Sequence, residues 1–231
     1  MGEDSQLSLS NVYGCPGQGH LFGKPLVWQA TAPRDVQANM PKPKILAFAG
    51  ATRTQSWNKK LIRVAVRSAE DAGGEVTLVD LRDYAMPLYD GDLEAAEGLP
   101  PRARELKALM VGSHGFLLSC PEYNSSISAV LKNIIDWISR PIPNELRAIA
   151  YKGKVAALLS ASPTNLGGIR GLMTVRQVLT TLGVLVLPTQ FGLAYADAAF
   201  HDDGALKEEA HRAAVGAVTS ELVRVLNLFN P

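Results

Sequence analysis

The sequence predicts an α/β protein built on a parallel sheet with helices on both faces. Short, nearly continuous apolar runs alternate five times with segments of helical period, which calls for parallel strands joined by crossover helices. The loops that leave the first, third and fourth runs are polar, and a doubly wound sheet holds its ligand outside the carboxyl ends of its strands. The convergence of three such loops on one edge carries more weight than any one of them.

Residues 1–40 keep no period of 2 or 3.6 for long and mix Gly14, Pro16, Gly17, Gly19, Pro25 and Pro33 with scattered apolar side chains. They read as an irregular extension, with residues 41–231 as the domain proper. Met40, just before the first strand, would be a natural start. The first strand begins at Ile45 and breaks at Gly50 into hydroxyl, amide and cationic side chains. Leu61, Ile62, Ala65, Val66 and Ala69 then form a helical stripe, with Lys59, Lys60, Arg63, Arg67 and Glu70 on the other faces.

An anion held by Thr52, Arg53, Thr54, Ser56 and Asn58 would therefore also meet the free N–H groups of a helix N-terminus. Neither G-x-x-x-x-G-K-[S/T] nor G-x-G-x-x-G is present, and a loop with one glycine suits a terminal monophosphate better than a pyrophosphate. Taken alone, the same residues could equally be a helix cap.

Ala72, Gly73 and Gly74 stop the first helix, and Glu75 to Asp80 alternate as a second strand. Leu81 to Pro101 reads as a long loop, followed by a helix from about Arg102 to Gly112. Gly115 to Cys120 forms the third strand and runs into Pro121, Glu122, Tyr123 and Asn124, which by themselves read as a turn and helix cap. The apolar stripe Ile127, Val130, Leu131, Ile134, Ile135 and Ile138 predicts the next helix, with Lys132, Asn133, Asp136 and Trp137 on its other faces. Lys154 to Ser160 is the fourth strand, opening into a loop through Gly168. A helix carrying Leu172, Val175, Leu179 and Leu182 comes next, then a fifth strand from Val184 to Leu187 closed by Pro188, and a last helix from about Gly204 to Leu228.

A length of 231 residues is enough for one α/β core, and 47 % apolar with 19 % charged residues is ordinary for a soluble protein. A net charge of +1 gives no electrostatic reason to expect nucleic acid or an anionic membrane as partner, and no apolar run approaches a membrane span. With only Cys15 and Cys120 and no visible secretory signal, the expected setting is the reducing cytoplasm. The four histidines show no zinc spacing, and His114 beside Ser113 lacks the G-x-S-x-G elbow of a serine hydrolase. Cys120 reads as a small core residue, and Glu122 as a solvated or salt-bridged carboxylate.

Together these loops resemble the NADPH-dependent FMN reductase family, a flavodoxin-like group that includes quinone, chromate and azo-dye reductases. The likeness spans about Pro43 to Leu226. Gly50 to Asn58 resembles the family's G-S-x-R-x-x-S-x-N, with Ala51 in place of the usual serine. Pro121 to Ile127 with Leu131 to Trp137 resembles P-E-Y-N-x-x-I/P…L-K-N-x-I-D-W, and Ser160 to Gly168 with Arg170 resembles S-x-S-P…G-G-x-R.

The resemblance implies a five-stranded sheet of order 2-1-3-4-5 and an FMN whose phosphate is held by Arg53, Ser56 and Asn58. Thr52 or Thr54 would stand in for the missing serine hydroxyl. Pro121, Glu122, Tyr123 and Asn124 would lie along the isoalloxazine ring, and Ser160 and Gly168 would approach from the other side. NADPH or NADH would give a hydride to flavin N5, with no side chain in the chemical step, and a quinone or similar small acceptor would take the electrons. The resemblance further implies a homodimer or homotetramer, for which the helix bearing Lys132, Asp136 and Trp137 is a candidate interface. The alternative is a non-enzymatic flavodoxin-type electron carrier, against which the near-neutral charge argues.

Overall fold

A computed structural model describes residues 41–229, so the expected extension over residues 1–40 lies outside the described residues. The elements, in order, are β1 (Lys44–Ala49), α1 (Trp57–Asp71), β2 (Glu75–Val79), α2 (Gly91–Glu97), α3 (Pro101–Gly112), β3 (Gly115–Ser119), β4 (Glu122–Tyr123), β5 (Ser126–Ile127), α4 (Ala129–Ile138), β6 (Val155–Ala161), α5 (Ile169–Thr181), β7 (Leu185–Leu193) and α6 (Glu209–Phe229). The main sheet is parallel throughout with order β2-β1-β3-β6-β7, the flavodoxin-like order 2-1-3-4-5.

The alternation of a strand explains how the sheet is covered twice. Ile45, Ala47 and Ala49 of β1, Leu117 of β3 and Val155, Ala157 and Leu159 of β6 face one core with Leu61, Ala65 and Ala69 of α1 and Val218 and Leu222 of α6. Leu46, Phe48, Phe116, Leu118, Ala156 and Leu158 face the other, against Leu106 of α3, Leu131 and Ile135 of α4 and Val175 of α5. The inner strands are buried on both faces, so their sequences are apolar runs rather than alternating ones. Among the described residues no helix is long and apolar enough to cross a membrane.

Five expectations need correction. The segment from Leu81 to Pro101 is not a plain loop: it holds a 3-10 turn over Leu81–Tyr84 and helix α2, started by the side chains of Asp80 and Asp90, which accept from the amides of Arg82 and Asp92. Ile127 belongs to a β4–β5 hairpin, not to α4; Asn124 (φ 51°) and Ser125 (φ 63°) form the left-handed pair of a two-residue turn.

The fifth sheet strand runs through Pro188 to Leu193, because β7 is an edge strand and the ladder slips between Ala156 and Leu158. Arg176 donates to the carbonyls of Val186 and Leu187 at 3.0 and 2.7 Å, serving oxygens beside the irregularity. Lys59 is only 6 % exposed, since Asp80 at the end of β2 reaches it at 2.6 Å. Trp137 is fully buried, with its indole N–H on the Pro87 carbonyl at 2.8 Å, and so presents no surface to a partner.

Candidate functional site

The three polar loops meet at the carboxyl edge of the sheet, and side chains from distant segments tie them together. Asn58, in the first turn of α1, donates to the Ala161 carbonyl (2.8 Å) and accepts from the Ala161 amide (3.0 Å) and Ser119 Oγ (2.9 Å). It thereby joins the ends of β3 and β6 beneath the first loop. One amide N–H remains for a ligand, so its part is chiefly that of a strut. Ser128, buried at the start of α4, donates to the Gly50 carbonyl at 2.6 Å and accepts from the Leu131 amide at 3.3 Å. It fastens the second loop to the first.

The first loop sets polar side chains around a helix N-terminus. Ser56, only 4 % exposed as a residue, precedes α1 but makes no capping hydrogen bond. The opening N–H groups of α1 sit beside it at the positive end of the helix. Arg53 is exposed and stands over the Trp57 ring, with 4.9 Å from its guanidinium carbon to the ring centroid. Thr52 is exposed, and its carbonyl accepts from Arg82 Nη2 at 2.6 Å, Arg82 Nε at 3.1 Å and Lys59 Nζ at 3.3 Å.

The Asp80 carboxyl beside Lys59 is raised by partial burial, but the hydrogen bonds from Lys59 and the Arg82 amide and both nearby charges outweigh this and hold it below its ordinary value. Arg82 escaped sequence reasoning because it lies in the segment read as loop. An Asp two residues before an Arg, as at an Asx turn, was the available signal.

The second loop is the hairpin. Pro121 is buried under it and Tyr123 is 57 % exposed, while Asn124 stands at the turn. Glu122 points away from solvent: its carboxylate accepts from the amides of Arg170 (3.0 Å) and Gly171 (3.2 Å) and from Arg170 Nε (2.7 Å). It occupies the N-terminus of α5 and binds the hairpin to the third loop. In that loop Ser160 is fully buried and donates to the Gly167 carbonyl. Gly168 has φ 84°, and a Cβ there would lie 2.5 Å from Ser160 Oγ. These two residues lock against each other, and the exposed part of the loop is Pro163 to Leu166.

A cleft of about 270 Å³ borders the first loop, lined by Thr52, Leu81, Arg82, Met86, Val130 and Asn133 among others. Cys120, at the end of β3, is fully buried and its thiol is pushed up to about 12, which leaves it inert at neutral pH. Among the described residues no cluster of three or more His, Cys, Asp or Glu could hold a metal ion.

The model of the NADPH-dependent FMN reductase family matches residues 43–198. An NAD(P)H-dependent FMN reductase of Pseudomonas aeruginosa is 33 % identical over 170 residues, covering 73 % of this chain and 87 % of that one. The rice protein called Probable NADPH:quinone oxidoreductase 2 is 38 % identical over 137 residues, 58 % of this chain and 63 % of its own length. Among solved structures, FerB, a flavoenzyme NAD(P)H:(acceptor) oxidoreductase of Paracoccus denitrificans, superposes with a TM-score of 0.67 at 26 % identity, covering 80 % of this chain and 98 % of that one. With the family model spanning most of the chain, the chain belongs to the NADPH-dependent FMN reductase family and is a flavin-dependent NAD(P)H oxidoreductase.

Proposed function

We propose that the three joined loops hold one FMN and that the protein passes electrons from NADPH or NADH to a quinone or similar small acceptor. The observation that carries this reading is the Ser56 hydroxyl at the N-terminus of α1, which makes no cap and lies next to an exposed arginine. A hydroxyl that caps nothing, set beside the unpaired N–H groups of a helix N-terminus, can donate to a phosphate oxygen together with them.

Arg53, Ser56 and the first N–H groups of α1 bind the phosphate, with Thr52 at its side and Asn58 holding the loop in shape. Pro121 and the exposed Tyr123 provide apolar wall for a flat ring, and the turn at Asn124 presents polar backbone to its edge. Glu122 acts through position alone, because its carboxylate is engaged by Arg170 and α5. Ser160 and Gly168 set the backbone path of the third loop. Bound FMN supplies the redox chemistry, and the chain supplies orientation and exclusion of water.

Assembly as a homodimer or homotetramer is part of the proposal; exposed Leu88 (78 %), Leu146 (72 %) and Met173 (67 %) offer apolar surface for it, and sedimentation equilibrium tests it.

An absorption spectrum of the protein after FMN addition and removal of excess, followed by anaerobic NADPH and then NADH, tests the function. Retained colour that bleaches with either nucleotide and returns with a quinone is the expected result. Bound flavin that neither nucleotide reduces would point to an electron carrier, and no retained flavin would refute the cofactor site.

A further inference from the structure

Ala51 leaves the first loop one hydroxyl short of the family motif, and the structure shows where a substitute arises. Arg82 reaches from the turn after β2 to the first loop, where Nε and Nη2 donate to the Thr52 carbonyl at 3.1 and 2.6 Å and Nη2 donates to Thr54 Oγ1 at 2.8 Å. Its own amide is held by Asp80 Oδ1 at 3.0 Å, and Asp80 grips Lys59, which adds a third donor to the same Thr52 carbonyl at 3.3 Å. A guanidinium cannot accept a hydrogen bond, so Thr54 Oγ1 must be the acceptor in that contact. Its proton is then free to be given elsewhere, and no acceptor for it exists among the described residues.

We infer that Arg82 is a positioning residue for phosphate recognition: it fixes the first loop through Thr52 and turns Thr54 into a polarised hydroxyl donor that replaces the serine missing at position 51. The inference rests on the phosphate reading of the first loop given above. A hydroxyl that accepts from a cation is a stronger donor in turn, so the substitution of donors costs little affinity. Arg82 need not touch the ligand. Lysine would keep the charge but lacks the planar fork that spans a carbonyl and a hydroxyl at once.

The test is equilibrium binding of FMN and of riboflavin, which has no phosphate, to the cofactor-free protein and to Thr54→Val, Arg82→Lys, the double variant, Thr54→Ser and Arg53→Ala. FMN affinity is expected to fall about tenfold or more in Thr54→Val and Arg82→Lys, the loss expected for a hydrogen bond to a charged group. Riboflavin affinity should hold, the double variant should be no weaker than the worse single, and Thr54→Ser should bind FMN as the parent does. Equal weakening of riboflavin would reduce Arg82 to a structural role and overturn the inference. Unchanged FMN binding in the Thr54 and Arg82 variants, with Arg53→Ala weakened, would overturn it while leaving the phosphate site in place. If Arg53→Ala also binds FMN normally, the phosphate reading itself falls and the inference with it.

Discussion

Replacing Asn58 with alanine tests whether the first loop is braced from below as described. The change removes the bonds to the Ala161 carbonyl (2.8 Å), the Ala161 amide (3.0 Å) and Ser119 Oγ (2.9 Å). All three partners lie in residues exposed by 3 % or less. A buried polar group left without a partner costs about 1–3 kcal/mol. The Ser119 hydroxyl can rotate toward another acceptor, whereas the two main-chain groups of Ala161 cannot, so the loss should total about 3–5 kcal/mol. At about 2–4 °C per kcal/mol for a domain of this size, Tm should drop by about 6–20 °C. Thermal unfolding followed by circular dichroism on the cofactor-free protein measures this without any contribution from flavin binding. A drop of less than about 2 °C would mean that Asn58 is not a strut, and its amide would return to the phosphate as a direct ligand.

Further predictions concern the periphery of the site and the pH response. Burial, then the charges of Lys154 and Lys44, holds the His114 imidazole below its ordinary 6.5, and its Nδ1 accepts from the Lys44 amide at 2.9 Å. The native state thus favours the neutral ring. Its stabilising effect is complete above pH 6.5 and is lost as pH falls through the lowered folded value, so His114→Gln should flatten urea stability over that interval; an unchanged acid slope would refute this. Gly168→Ala should destabilise by about 2 kcal/mol or more, from the positive φ and the clash with Ser160, and a wild-type midpoint in urea would contradict the packing. In a Cys15→Ser background the Cys120 thiol should resist a disulfide reagent at pH 8 and react at once in denaturant, since burial pushes it up to about 12; rapid native reaction would show that the end of β3 opens.

Much of the fold was legible because it is written locally. The runs Ile45 to Ala49, Phe116 to Leu118 and Val155 to Leu159 are apolar at every position, which is the mark of a strand covered on both faces. Errors came where a local pattern served two elements or a neighbour overruled it. Ile127 continues the spacing of Val130 and Leu131 but lies across the hairpin turn, and Pro188 looks like a terminator until the edge position of β7 is known. Lys59 falls outside the apolar stripe of its helix, and Asp80 with the Thr52 carbonyl makes its burial tolerable.

The sequence by itself determined the α/β class, the presence of three polar loops after the first, third and fourth long strands, and, through the motifs beginning at Gly50, Pro121 and Ser160, the family to which they belong. Tertiary structure alone decided what each polar side chain does. Asn58 meets Ala161 across 103 positions, Ser128 meets Gly50 across 78 and Arg82 meets Thr52 across 30. Apolar periodicity is set by each element's own geometry and survives in one dimension, whereas a hydrogen bond depends on a distance of about 3 Å that only the folded sheet brings about.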